Sequence, residues 1–482
     1  MNRRRFLSLA ALSPLAALSN RSAFAMRLPG QHGGANSVVR RASGGLSSLT
    51  AAPGNYDLGD GPRPGAMLFN GSWPAPTIRL QQGDLFDLIL HNNLDEPTIV
   101  HWHGLLPPAD MDGHPIYAIG PGESRPYLFS VHERASTYWY HTHPHHRTAY
   151  QAYHGLAGFL IVDDGLDEVR GLPPASRDIP LLLADKRLNT EGAMEYNPSM
   201  ADIMRGLLGN TVLVNGRQAL QMSVEPAVHR LRLLNGSTAR ILNPAFADGR
   251  TFWLIGTDAG LLDAPLAVNS VLLSPGERVE LLVDFRDDAG TTLEFLSALA
   301  NITSPGPPIE FPQGAEMPMM RFVVDEPLEG ESGEIPELFD AMPPPAITEG
   351  PVRPFVFTQN GPDHFINGLT YELERIDFTV EQGEPEIWRC TNAGNQPHPM
   401  HMHGAHFRVL GRSGEPIASD AGWKDTVLVR VGETVDVALR FDVPGLFLFH
   451  CHNLEHEDHG MMLNFVVNAN NAIFRDGFES VP

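Results

Sequence analysis

His450-Cys451-His452-Asn453-Leu454-Glu455-His456-Glu457-Asp458-His459-Gly460-Met461-Met462 holds the densest chemistry in this 482-residue chain. Read as the end of a β-strand, its first three residues alternate faces. The Cys451 thiol therefore points away from the imidazoles of His450 and His452. His456 follows Cys451 by five residues and Met461 by ten. Upstream, His398-Pro399-Met400-His401-Met402-His403 offers the pair His401/His403 with His398 at its head. His101/His103 and His141/His143 are spaced in the same way. One such pair suits a solvated strand face. Four pairs point to bound metal, because neutral imidazole is the commonest ligand of copper, zinc, iron and nickel.

Two histidines, one cysteine and a weak axial methionine (His398, Cys451, His456, Met461) compose a blue electron-transfer copper site. Zinc fits less well. Its structural sites close with more cysteines, and its catalytic sites use fewer histidines.

The pairs sit within an internal repeat. An Asn-Gly turn opens each copy, at Asn70-Gly71, Asn215-Gly216 and Asn367-Gly368. Alternating apolar and polar residues follow, and Asn92, Asn235 and Asn392 close corresponding strands. A Gly-Glu turn then precedes another alternating run, at Gly122-Glu123, Gly276-Glu277 and Gly432-Glu433. Each copy has the length of one β-sandwich, so the predicted units are 46–165, 178–325 and 352–470, with a Pro-rich acidic linker at 326–351. Histidine pairs occupy the first and third copies only. The matching stretch of the middle copy, near Glu294-Phe295-Leu296, has none, so the middle unit is expected to act as a spacer.

Four segments resemble the copper signatures of the multicopper oxidases, a family that includes laccases, bilirubin oxidases and bacterial cuprous oxidases. They are His101-Trp102-His103-Gly104, Tyr140-His141-Thr142-His143, His398 to Gly404, and the stretch from His450 to Met462. The resemblance runs over nearly the whole mature chain, through Asn70-Gly71-Ser72-Trp73-Pro74 and Gly422-Trp423-Lys424-Asp425-Thr426-Val427. It implies an all-β fold of three cupredoxin-like Greek-key β-sandwich domains and four coppers per chain. His398, Cys451, His456 and Met461 correspond to the type 1 ligands, and His101 and His401 to the type 2 ligands. His103, His141 and His452 correspond to one type 3 site, and His143, His403 and His450 to the other.

The same resemblance implies one-electron oxidation of a reduced substrate coupled to four-electron reduction of O2 to water. Cys451, joined by peptide bonds to His450 and His452, gives a short covalent electron path. His456 matches the ligand whose edge faces substrate. Asp112 and Glu457 match acidic positions near the cluster in bacterial relatives and are expected to relay protons or tune bound water. An axial methionine implies a modest potential, which favours easily oxidised phenols and aromatic amines in a laccase-like reaction. A cuprous oxidase acting on Cu(I) is the alternative. The chain has no long methionine-rich insertion, and Gln396 stands two residues before His398. A non-catalytic copper-binding or cell-envelope scaffold is the alternative of another class. Such relatives lose ligands, and this chain keeps all of them.

Other residues call for plainer readings. His145, His146 and His154 suit solvated loop positions, and His459 a turn near the site. Met317, Met319 and Met320 suit a strand, and Cys390 a buried thiol. Residues 1–25 read as a twin-arginine leader: Arg3-Arg4-Arg5 precede an apolar run too short to span a bilayer, then Ala23-Phe24-Ala25. Twin-arginine export machinery and a periplasmic or secreted location follow, without stable membrane insertion. Removing the leader takes four arginines and no acid, which moves the formal charge from −23 to −27. That balance argues against nucleic-acid partners. Residues 26–45 read as a Gly- and Ser-rich lead-in, and 471–482 as a tail.

Overall fold

The computed structural model describes residues 47–303, 312–326, 332–339 and 350–470, with short strands at Ala25–Met26 and Val39–Arg40. Apart from those two strands, the predicted leader and lead-in, the tail and much of the 326–351 linker lie outside the described residues.

Three times over, the same strand pairing recurs. Ser47–Asp57 runs parallel to Leu85–Asn92, Asp178–Lys186 to Val228–Asn235, and Val352–Asn360 to Pro385–Asn392. In the facing sheets Ala75–Gln81 runs parallel to Ala157–Asp163, Leu220–Val224 to Met317–Val324, and Phe378–Glu381 to Met462–Asn468. Parallel pairs between otherwise antiparallel neighbours require long returns across the sandwich, and the chain forms three cupredoxin-like Greek-key β-sandwiches. Each closes on its own apolar core.

The repeated turns have a common physical cause. Asn70, Asn215 and Asn367 have φ of 51°, 48° and 54°, and the glycines after them 74°, 75° and 75°. Two successive positive φ values define the tight hairpin turn that Asn-Gly tolerates best. Each asparagine also laces the turn to the neighbouring strand. Its side-chain oxygen accepts from Thr50, Leu182 or Val356 N–H, and its amide donates to Ser48, Pro180 or Pro354 C=O. Asn92, Asn235 and Asn392 are likewise equivalent, each donating to two backbone carbonyls.

Met319 and Met320 are buried in the middle core with Met317 packed against it, and Cys390 is a free buried thiol in the third core. No helix among the described residues is long and apolar enough to cross a membrane.

Candidate metal centre

The strands that carry the histidines are buried on both faces, and their alternation sorts side chains between two environments. In Ser136–Thr142, Tyr138 and Tyr140 enter the first core while Trp139 and His141 point the other way. In Gly445–Cys451, Phe447, Phe449 and Cys451 enter the third core, and His450 points out of it. In His398–Met402, Met400 and Met402 share that core, so His398, in the same parity, faces Cys451, and His401 faces away. Register completes the arrangement. His101 lies opposite His141, His401 opposite His450, and Met400 opposite Cys451.

The outward-facing imidazoles of the first and third sandwiches meet. His101 Nε2 lies 3.2 Å from His401 Nε2, and His143 Nε2 3.3 Å from His450 Nε2. His403 Nε2 is 3.1 Å from His450 Nε2, and His103 Nδ1 is 3.4 Å from His141 Nε2. The rings interleave reciprocally. His101 stacks on His403 with centroids 3.8 Å apart, and His103 on His401 at 3.7 Å. His452 completes the group, its ring centroid 5.1 Å from that of His103 and 5.3 Å from that of His141.

On the other side of the Cys451 strand, three donor atoms converge. Cys451 Sγ is 3.5 Å from His398 Nδ1 and 3.7 Å from His456 Nδ1, and the two nitrogens are 3.3 Å apart. Met461 is buried in the same core. Its carbonyl accepts from Cys451 N–H, and its own N–H donates to His456 C=O. The outward edge predicted for His456 is not open. The residue is 0% exposed, and its Nε2 lies 3.2 Å from Asn453 Nδ2. The short helix Met200–Arg205 passes over it, with Arg205 C=O accepting from Asn453 Nδ2 and Met204 C=O from Gln359. A middle-domain segment covers the site, which no local pattern near His456 announces.

Desolvation is the leading charge effect. Burial, reinforced by neighbouring imidazoles, holds His101, His103, His141, His401, His403 and His456 well below their ordinary range. It also lowers His398 well below, His143 to about 4 and His452 to about 3. Neutral imidazoles are what metal binding needs. Burial pushes the Cys451 thiol up, so a thiolate there needs a cation beside it. Both ring nitrogens of His452 and the Nε2 of His398 are buried without hydrogen-bond partners. Clustered, neutral, orphaned nitrogens with one sulfur fit copper.

Outer contacts orient the rings. His101 Nδ1 and His401 Nδ1 face the carbonyls of Asp112 and Asp425 at 2.6 and 2.9 Å. Asp112 Oδ2 is 2.6 Å from His403 Nδ1, and burial pushes its carboxyl well above the usual range. Glu457, on the short helix Leu454–Asp458, lies 3.2 Å from His450 Nδ1 and 3.6 Å from His143 Nδ1. Burial opposes its ionisation, but those two histidines outweigh it and hold Glu457 at about 2.

Several neighbours carry no signature of their own in the sequence. Asp425 Oδ1 is 3.0 Å from His103 Nε2, and Trp139 stacks on His141 with centroids 4.2 Å apart. Both lie in or beside the motifs already singled out, which was the available signal. His145 and His146 stack on each other, His146 and His459 face the backbone carbonyls of Asp458 and Glu455, and His154 faces that of Tyr150.

Two family profiles, both described as multicopper oxidase, match residues 50–167 and 345–471. The multicopper oxidase mco of Staphylococcus epidermidis is 32% identical over 400 residues, covering 82% of each chain. The cell division protein FtsP of Xenorhabdus nematophila is 34% identical over 414 residues, covering 83% of this chain and 84% of the relative. A solved laccase-like multicopper oxidase from Ochrobactrum, described with activity towards lignin model compounds and lignosulfonate, superposes with TM-score 0.80. It is 34% identical and covers 89% of this chain and 98% of its own. The chain belongs to the multicopper oxidase family, copper-dependent oxidoreductases that use O2 as acceptor.

Proposed function

We propose that this chain is a laccase-like oxidase of phenols or aromatic amines that holds four coppers. His398, Cys451, His456 and Met461 hold one type 1 ion, and His101 with His401 one type 2 ion. His103, His141 and His452, with His143, His403 and His450 opposite, hold a type 3 pair. The single observation that carries this reading is the Cys451 strand, whose sulfur faces one donor set and whose flanking imidazoles face another.

Bound copper supplies one-electron redox couples, so four single electrons from substrate, with four protons, reduce one O2 to two waters. The chain supplies the rest. Cys451 is one peptide bond from His450 and one from His452, a short covalent route between the two donor sets. Asp112 holds the remote nitrogen of His403, and the Glu457 carboxyl stands beside those of His450 and His143, so both keep an acid group next to the cluster. The buried site excludes bulk water. The activity that the Ochrobactrum relative is described with supports aromatic donors. The twin-arginine leader supports export to the periplasm or beyond.

Oxygen uptake with a phenol, and separately with Cu(I), tests the substrate. Phenol-dependent uptake is expected, and strong turnover with Cu(I) alone overturns the preference. The FtsP relative keeps a second reading in view, a cell-envelope scaffold. A scaffold has no use for a buried His–Cys constellation, and a purified protein that is colourless and copper-free would favour that reading.

A further inference from the structure

We infer that Arg278, contributed by the middle domain, is a positioning residue that fixes through Asp425 which nitrogen His103 turns toward the histidine cluster. The inference rests on the copper sites proposed above.

Arg278 opens the strand Arg278–Asp284 and is 0% exposed. Its guanidinium has five N–H donors, and all are engaged. Nε donates to Thr137 C=O at 3.0 Å, Nη1 to Gly276 C=O at 2.9 Å, and Nη2 to Asp258 C=O at 2.9 Å. The remaining two form a fork on Asp425, Nη1 to Oδ1 at 2.8 Å and Nη2 to Oδ2 at 2.5 Å. Thr137 belongs to the first sandwich and Asp425 to the third, so one side chain ties all three together. The neighbouring charges also pair. Lys424 Nζ lies 2.8 Å from Glu277 and 3.2 Å from Asp258, and Asp258 accepts from Arg278 N–H.

The fork fixes Asp425, and Asp425 fixes His103. Two guanidinium N–H groups of Arg278, one on each carboxyl oxygen, hold Asp425 in place as an acceptor. His103 Nε2–H then donates to Oδ1, which leaves the Nδ1 lone pair facing His141 Nε2. The paired rings of His101, His401, His143, His403 and His450 turn Nε2 inward instead. His103 is reversed relative to these five, and the residue that explains its reversal is held from the domain without ligands.

Two glycines show how closely this brace fits. A Cβ on Gly104 would sit 2.6 Å from Asp425 Oδ2 and 2.7 Å from Arg278 Nη2. A Cβ on Gly276, in the same middle-domain turn, would sit 2.9 Å from the His452 ring. His103 and His452 belong to the same proposed type 3 set, so this part of the middle domain packs against one of its rings and reaches another through Asp425. The middle domain is more than a spacer.

The test compares copper-loaded wild type with Arg278→Gln, Arg278→Lys and Arg230→Gln. Arg230 is another buried arginine of the same domain, paired with Glu280 and Asp167 and making no bond to Asp425. Arg278→Gln is expected to keep the blue thiolate–copper band, to lose the near-ultraviolet type 3 band, and to lower oxygen uptake by about tenfold or more. Arg230→Gln is expected to lower the melting temperature and leave both bands in place. Unaltered type 3 and type 2 spectra in Arg278→Gln overturn the inference. So does loss of both bands together with the fold, if Arg278→Lys then folds with a wild-type spectrum, since lysine keeps the charge but not the fork. A wild-type protein that takes up no copper fails the copper reading itself, before any variant is compared.

Discussion

His364 lies face to face on His456, ring centroids 3.8 Å apart and planes 23° from parallel. It is 0% exposed. The ring therefore acts as a cover on a residue of the Cys451 site. An apolar, water-free shell favours the less charged, reduced ion. His364→Ala should admit water above His456 and lower the type 1 potential, read by redox titration of the blue absorption. An unchanged or raised potential would contradict this role.

The helix Met200–Arg205 is the second cover. Ser199 and Asp202 form its capping box, and Arg187 grips Asp202 through two bonds of 2.7 and 3.1 Å. Losing the cap loosens the N-terminal end of this six-residue helix, whose other end is held through the Met204 and Arg205 carbonyls. Asp202→Ala should therefore raise kcat/KM for bulky phenols more than for small ones. Equal effects on both would show that the helix does not limit access.

Cys451→Ser replaces the sulfur at the convergence of His398 and His456 with oxygen. The blue absorption and substrate oxidation should vanish, while far-ultraviolet circular dichroism and the type 3 band persist. A variant that stays blue would remove Cys451 from the site.

Acid should weaken the copper-free protein in a defined window. Burial holds His114, His229 and His406 at about 4 in the folded chain, against about 6.5 when unfolded. Between those values the unfolded chain binds more protons than the folded one, so stability falls as pH drops from about 6.5 towards 4. The melting temperature of the copper-free protein, followed across that interval, should decline. A flat profile would mean that these rings take up protons without unfolding.

Period-two alternation is a local property, and it was enough to separate the Cys451 sulfur from the imidazoles beside it. The Asn-Gly turns were equally legible, because left-handed backbone at two successive residues is a demand that few dipeptides meet. Alternation could not say what lies beyond the outward face, since a strand covered on both sides looks alike whichever neighbour covers it. The apposition of His101 with His401, 300 residues apart in sequence, follows only from the first sandwich docking on the third. So do the burial of His456 beneath the middle domain and the hold of Arg278 on Asp425. Such contacts depend on the match between whole surfaces, and no short window of residues encodes them.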